Sequence, residues 1–134
     1  MSSWWARYVG LPFEDGGRGP ESFDCWGLVR QVYADELGID LPSYGEISAR
    51  DLGRIARTMG QGQAEDCWRG IGTPAAFDVV LMRAAGGTRA VVHVGLAVDA
   101  RRLLHIEAAT SAVVVPLSHV SVAGRILGFR RYRR

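Results

Sequence analysis

The sequence predicts an α+β fold in which N-terminal helices pack against a C-terminal antiparallel β-sheet. Apolar residues recur at helical spacing in the first half of the chain. Short alternating or β-branched runs, separated by turn residues, fill the second half. Helices followed by a series of strands are typical of α+β proteins. At 134 residues, we expect residues 1–134 to form a single domain.

Three helices are expected before residue 60. A short helix over residues 3–8 precedes a loop over 10–22 that is rich in Gly and Pro. The next helix covers residues 25–37 and ends at Gly38, a residue type common just after a helix. A further helix is predicted over 48–59, between a capping serine and a glycine.

Five strands are expected after residue 75. Each is a short run of alternating or β-branched residues bounded by turn formers. They are Val79–Arg83, Ala90–Val98, Arg102–Glu107, Ala112–Leu117 and Ile126–Tyr132.

Charge and hydropathy exclude two classes of protein. The net charge of +2 is too small to indicate nucleic-acid binding. The first residues lack a basic segment followed by an apolar stretch, and no apolar run has membrane-spanning length, so we expect cytoplasmic synthesis without a signal peptide and no membrane span. Arginines concentrate from about residue 125, and we interpret them as a solvated basic tail. The alternative is a docking site for an acidic protein surface or an anionic polymer.

The two cysteines do not form a disulfide or zinc motif. Cys25 and Cys67 are isolated, and the sequence contains no CxxC or HxxxH pair. We therefore expect no metal and no cofactor, and interpret Cys67 as a structural residue beside Trp68.

Cys25 is the predicted nucleophile. It stands in Phe23-Asp24-Cys25-Trp26-Gly27-Leu28-Val29, where Asp24 has the residue type and position of a helix N-cap. The first turn of a helix has unpaired N–H groups and partial positive charge, which favour a thiolate. We therefore expect the pKa of Cys25 to lie below the free value of about 8.5. Trp26 follows directly and is expected to line the cleft as well as to pack.

His93 is the candidate base for this thiol. In Val92-His93-Val94-Gly95-Leu96-Ala97, alternation places His93 on the same face as Gly95 and Ala97. Such small neighbours predict open space in front of the imidazole, as a base beside a substrate requires. A hydrogen-bonded core histidine is an equally good interpretation of the pattern.

His105 is the candidate third group. A hairpin turning at residues 99–101 places it near His93, where it can fix the orientation of that imidazole. Glu107 shares the face of His105 and is the alternative for this role, although an exposed carboxylate there is more often inert. His119, in a Ser/Val loop, is interpreted as a surface residue, and Asp78 as a turn former.

These motifs together resemble the NlpC-type cysteine peptidases of bacterial cell walls. The resemblance covers residues 8–117 and depends on the Gly-Gly loop, the FDCWGLV block, Phe77-Asp78-Val79, His93-Val94-Gly95 and His105. It implies a papain-like fold and hydrolysis of amide bonds in peptidoglycan stem peptides, often between D-glutamate and diaminopimelate. It also implies roles for individual residues: Cys25 as nucleophile, His93 as base, His105 as its orienting partner, and Asp24, Trp26 and Phe13 as substrate-binding or oxyanion residues. At Phe13 the family often has a tyrosine.

Trp26 directly follows the cysteine, where the family more often has serine. In this respect the chain resembles the phage-tail branch of the family. This branch implies a component of a phage tail or gene-transfer particle that acts in the cell wall or periplasm beside tail hub or baseplate proteins, and that needs no signal peptide. Two alternatives remain open: a structural tail-tip protein with little catalysis, and an amidase or acyltransferase that uses the same Cys-His dyad.

Overall fold

In the computed structural model, which describes residues 3–42, 68–108 and 110–133, six antiparallel strands form one sheet. The order across the sheet is β1-β6-β2-β3-β4-β5, so the last strand of the chain lies between the first two. The strands are β1 (Trp68–Ile71), β2 (Val79–Met82), β3 (His93–Ala97), β4 (Arg102–His105), β5 (Val113–Pro116) and β6 (Ile126–Tyr132).

The sheet confirms the α+β prediction. All five predicted strands are present, four of them shorter than the patterns indicate. The sequence analysis missed β1. Only Trp68 of its four residues is buried, so the strand has no run of apolar residues by which to recognise it.

The helix that begins at Cys25 is confirmed. Regular α-helix covers Cys25–Val32 (α1), and the chain continues as a π-helical turn over Tyr33–Leu37. Gly38 then takes a left-handed conformation at φ 66°, which glycine adopts without steric cost. Shorter 3-10 helices cover Trp4–Tyr8 and Ala123–Arg125. The helix predicted over 48–59 and Cys67 lie outside the described residues.

The core is formed where α1 packs against the centre of the sheet. Leu28, Val29 and Val32 of the helix are buried in one cluster with Val94 and Leu96 of β3. Full burial of such a side chain stabilises the fold by about 1.5–3 kcal/mol. A second cluster includes Val80, Met82, Ala97, Leu103 and Val122. Within the described residues, no helix is long and apolar enough to cross a bilayer.

Arg130 and Arg131 lie in a strand, so for these two residues the interpretation as a solvated tail is wrong. Residues 126–132 are the strand β6, which pairs with β1 on one side and β2 on the other. The guanidinium of Arg131 donates from Nε and Nη2 to the two oxygens of buried Asp78, both at 2.8 Å. Asp78 also accepts the N–H of Ala75, consistent with the turn role predicted for it. A count of charges cannot distinguish such a strand from a tail, because the paired carboxylate is remote in sequence.

Candidate active site

Cys25 is the first residue of α1, directly after the cap. Asp24 accepts the N–H of Gly27 through Oδ1 at 2.7 Å and so caps the helix. Its other oxygen, Oδ2, accepts from Nη1 of Arg18 at 2.6 Å, and the carboxylate is 2% exposed. The glycine-rich loop is therefore fastened to the start of the helix by a buried ion pair, and sequence reasoning missed Arg18.

A cavity of about 430 Å³ brings the thiol and the candidate base together. Apolar groups form most of its wall, and Glu107 and Arg125 are its charged members. It is lined by Phe13, Cys25, Ala84, Ala85, Val92, His93, Ile106, Glu107, Ala108 and Arg125.

Of the three residues predicted to bind substrate or the oxyanion, Asp24 and Trp26 have their polar groups bonded within the protein. Asp24 is occupied as the helix cap and by Arg18. The ring of Trp26 is buried and donates from Nε1 to the carbonyl of Pro42 at 2.9 Å, so it packs in the core. Phe13 alone of the three predicted accessory residues is among the residues that line the cavity, in agreement with its place beside the nucleophile.

His93 and His105 are hydrogen-bonded to each other, as the predicted hairpin requires. Nε2 of His93 lies 2.9 Å from Nδ1 of His105, and both residues are buried. Because Nε2 of His93 is occupied in this way, Nδ1 is the ring nitrogen left to accept a proton from Cys25. The carboxylate of Asp99 accepts the N–H groups of Arg101 and Arg102 and so forms the turn between β3 and β4.

The prediction that Gly95 leaves open space in front of His93 is wrong. A Cβ built there would meet Leu103 Cδ1 at 2.6 Å, and His105 Cβ and Leu104 O at 3.0 Å. The missing side chain lets β4 approach β3 closely enough for His105 to reach His93. The small residue serves contact between strands rather than access of a substrate.

Burial keeps the thiol and the imidazole neutral in the unliganded site. Desolvation raises the pKa of Cys25 to about 12, with a further increase from Asp24 and opposing decreases from the backbone N–H groups of Val94 and Trp26 and from Arg18. The lowered pKa predicted for Cys25 is therefore wrong, because desolvation outweighs the start of the helix. Desolvation also lowers the pKa of His93, to about 3.

A second ion pair stands beside the histidines. Nη2 of Arg125 lies 3.0 Å from Oε2 of Glu107, and Nη1 lies 3.2 Å from Oε1. Oε1 of Glu107 is 3.7 Å from Nδ1 of His105. The sequence pattern placed Glu107 on the His105 face but treated Arg125 only as part of a basic cluster. His119 is exposed, bonds to Ser121 and stands apart from this group, as predicted.

His93, His105 and Glu107 also have the chemistry of metal ligands. One donor atom from each lies within 4.8 Å of the others. These donors are engaged in the structure, the two nitrogens with each other and the carboxylate with Arg125. A cation there would have to replace both interactions.

The family model and the solved structures point to one family. The model of the NlpC/P60 family matches residues 10–131. Gamma-DL-glutamyl hydrolase of Bacillus subtilis is 49% identical over 41 residues, which are 30% of this chain and 10% of that protein. This chain thus spans about a tenth of that relative.

Three solved structures share the fold. An NLP/P60 family protein similar to a lipoprotein, from Staphylococcus aureus, superposes with a TM-score of 0.64 at 28% identity, over 96% of this chain and 38% of that one. An NlpC/P60 family protein from Bacillus cereus gives 0.63 at 21% identity, over 95% and 37%. The NlpC/P60 domain of the peptidoglycan hydrolase SagA gives 0.60 at 20% identity, over 92% and 88%.

Proposed function

Because the chain belongs to the NlpC/P60 family, we propose that it is a cysteine peptidase that cleaves amide bonds in peptidoglycan stem peptides. The observation that carries the proposal is one cavity lined by Cys25 and His93, with His105 hydrogen-bonded to the far side of His93. The matched segment of a protein named gamma-DL-glutamyl hydrolase supports a γ-glutamyl bond as the target. We infer a D-glutamyl–diaminopimelate linkage as the most suitable substrate.

In acylation, Nδ1 of His93 takes the proton of Cys25 Sγ as the sulfur attacks the carbonyl carbon. His93 becomes an imidazolium, and its Nε2–H donates to Nδ1 of His105. Backbone N–H groups in the first turn of α1 stabilise the oxyanion, where one such donor contributes about 3–4 kcal/mol. Nδ1–H of His93 then protonates the leaving amine, the C–N bond breaks, and a thioester remains on Cys25.

Deacylation reverses the proton path. His93 takes a proton from water, the hydroxide attacks the thioester carbonyl, and the C–S bond breaks as the proton returns to Cys25. The products are a free carboxylate and a free amine.

We also propose the setting that the resemblance implies: a component of a phage tail or gene-transfer particle, bound to tail hub or baseplate proteins and acting in the cell wall or periplasm. Trp26 directly after Cys25 supports this branch of the family. Proteomics of purified particles tests it. Peptides of this chain should co-purify with tail proteins, and their absence from intact, infective or gene-transferring particles would contradict the proposal.

Mass spectrometry of purified muropeptides tests the activity. Wild-type protein should produce fragments that identify the bond, and Cys25→Ala and His93→Ala should produce none. His119→Ala is the matched control, because that histidine is exposed and is not among the residues that line the cavity, and it should retain the wild-type rate. Cleavage by Cys25→Ala at the wild-type rate would overturn the assignment.

Phe13 favours one alternative, a structural protein with weak catalysis, because the family's tyrosine hydroxyl is absent. Failure of folded wild-type protein to cleave, although iodoacetamide alkylates Cys25, would favour that alternative. Release of a transferred acyl group instead of a free carboxylate would favour the acyltransferase.

A further inference from the structure

Glu107 lies beside the histidine pair and is held there from its other side. Its Oε1 is 3.7 Å from Nδ1 of His105, the atom that also faces Nε2 of His93 at 2.9 Å. Arg125 contacts both carboxylate oxygens, at 3.0 and 3.2 Å. The carboxylate therefore has one charged partner in Arg125 and one titratable partner in His105.

The guanidinium of Arg125 is fixed by the backbone. Its Nε donates to the carbonyl of Arg83 at the end of β2 at 2.9 Å, and its Nη1 donates to the carbonyl of Ser121 at 3.3 Å. The side chain is 13% exposed. Exposed ion pairs contribute little because their side chains must be ordered, but here the backbone contacts hold the fork in place. The position of the Glu107 carboxylate is thus determined by Arg125, which is itself held by the carbonyls of Arg83 and Ser121.

The position of one proton decides whether His93 can act as a base. Nδ1 of His93 must be unprotonated to accept the proton of Cys25, so the proton shared with His105 must sit on Nε2 of His93. A carboxylate near Nδ1 of His105 favours a proton on that atom instead. His105 then gives up its Nε2 proton to solvent, and His93 takes a solvent proton on Nδ1, so both rings stay neutral and His93 is in the inactive tautomer. A cation that neutralises the carboxylate removes this bias.

The same carboxylate helps once the reaction has begun. Proton transfer from Cys25 places a positive charge on the histidine pair, and a nearby anion stabilises it. The two members of the ion pair therefore act in opposite directions on the same pair of rings.

Building on the proposed peptidase, we propose that Glu107 and Arg125 are positioning residues of the active site. Glu107 stabilises the imidazolium formed during acylation, and Arg125 keeps the shared proton on Nε2 of His93 in the resting enzyme.

The electrostatics of the site agree with this assignment. Burial has the largest effect and lowers the pKa values of His93 and His105. Glu107 raises both pKa values, and Arg125 lowers both. His105 also lowers the pKa of His93, and Cys25 faces His93 across the cavity from α1. Glu107 itself is held ionised, because Arg125 and the histidines lower its pKa against desolvation.

The test reads the protons directly and needs no substrate. Long-range ¹H–¹⁵N spectra of ¹⁵N-histidine protein report the tautomer of each ring and the midpoint of its titration, with exposed His119 as internal reference. In wild type, His93 should carry its proton on Nε2 at neutral pH. Arg125→Met should place the proton on Nδ1 of His105. It should also move the acid midpoint of the pair to a pH about one unit higher, so that the pair is half protonated at a roughly tenfold lower proton concentration, because a neighbouring cation is lost. Glu107→Gln should lower that midpoint.

The double variant separates charge from structure. Glu107→Gln/Arg125→Met loses every contact of the ion pair but also both charges, so the tautomer and midpoint should return to those of wild type. Arg125→Lys keeps the cation without the bidentate fork and should retain the wild-type tautomer. Shifts of the same sign in the two single variants, or a double variant that departs further from wild type, would overturn the proposal.

Activity provides an independent arm. Where wild type cleaves muropeptides, Glu107→Gln should reduce kcat roughly tenfold with KM unchanged, a fraction of the 10²–10⁴ that a positioned base supplies. Loss of the peptidase assignment would leave the spectroscopic result standing, so the two proposals can fail separately.

Discussion

The close approach of the two histidine-bearing strands at Gly95 makes Gly95→Ala the sharpest test of how the fold positions the site. The new methyl group would meet the Leu103 side chain at 2.6 Å, and the His105 Cβ and the Leu104 carbonyl at 3.0 Å. The carbonyl belongs to the backbone of β4 and cannot rotate away, so the strands must separate.

Overpacking of this kind costs about 1–3 kcal/mol. We expect a loss of about 2 kcal/mol in the free energy of unfolding, roughly thirtyfold in the folding equilibrium. Separation of the strands also lengthens the 2.9 Å contact between Nε2 of His93 and Nδ1 of His105. Since small misplacements of catalytic groups reduce rates by up to about a hundredfold, we expect kcat/KM to fall at least tenfold.

Urea denaturation and muropeptide cleavage measure the two effects. Gly72→Ala is the matched control, because a Cβ at that position meets nothing within 4 Å and the residue has no positive φ. If Gly95→Ala and Gly72→Ala have the same urea midpoint and the same cleavage rate, the absence of a side chain at Gly95 is not what allows β3 and β4 to approach.

Three further predictions concern single groups. Asp24→Ala removes the helix cap and the carboxylate of a largely buried ion pair with Arg18, so we expect a loss of about 3 kcal/mol in urea denaturation. Asp24→Asn keeps a capping oxygen and should lose less, and equal losses would show that the charge is irrelevant. The pKa of His93 is lower in the folded than in the unfolded chain, so its contribution to stability is present above about pH 6.5 and is lost as the pH falls towards 3. Wild type should therefore lose up to about 1.4 kcal/mol more per pH unit than His93→Gln between pH 6 and 4, and the reverse order of slopes would contradict the buried neutral state. Phe13→Tyr adds the family's hydroxyl inside the cavity and should raise kcat roughly tenfold, whereas no gain over Phe13→Leu would show that this position does not contact the transition state.

The parts of the fold that follow from local chemistry were predictable. Asp24 and Gly38 define the ends of the helical segment because a capping carboxylate and a left-handed glycine act on their own neighbours. The hairpin that joins His93 to His105 follows in the same way from two strand patterns and a turn at Asp99.

The parts that depend on remote partners were not predictable. Arg18, Arg125 and Arg131 each pair with a carboxylate, and for the last two the partner is 18 or 53 residues away. A charge pattern cannot identify such pairs, and for this reason the arginines of the correctly predicted strand β6 were interpreted as a solvated tail. Phe77 is a similar case: it adopts φ 73°, rare for a residue with a side chain, where its ring stacks on Trp4 at 4.4 Å.

The sign of the Cys25 shift was wrong for a related reason. The helix start is visible in the sequence, and it favours the thiolate. The depth at which the thiol is buried depends on how the cavity walls from five other segments close around it, and desolvation has the larger effect. The position of Cys25 at the start of the helix was predictable, but its resting protonation state was not.

The charges around this site are arranged in pairs, and this has a consequence for the pH dependence of the reaction. Asp24 is compensated by Arg18 and Glu107 by Arg125, and in the resting site burial outweighs the attraction of Glu107 for a charged His93. With the pKa of His93 lowered to about 3 and that of Cys25 raised to about 12, the neutral thiol and the neutral imidazole coexist over the whole neutral range. We therefore expect kcat/KM to stay constant between about pH 5 and 9, since the form that reacts does not change there. A resting thiolate–imidazolium pair would instead give a bell-shaped profile with limbs inside that interval, and such a profile would show that the site opens to solvent before the chemistry begins.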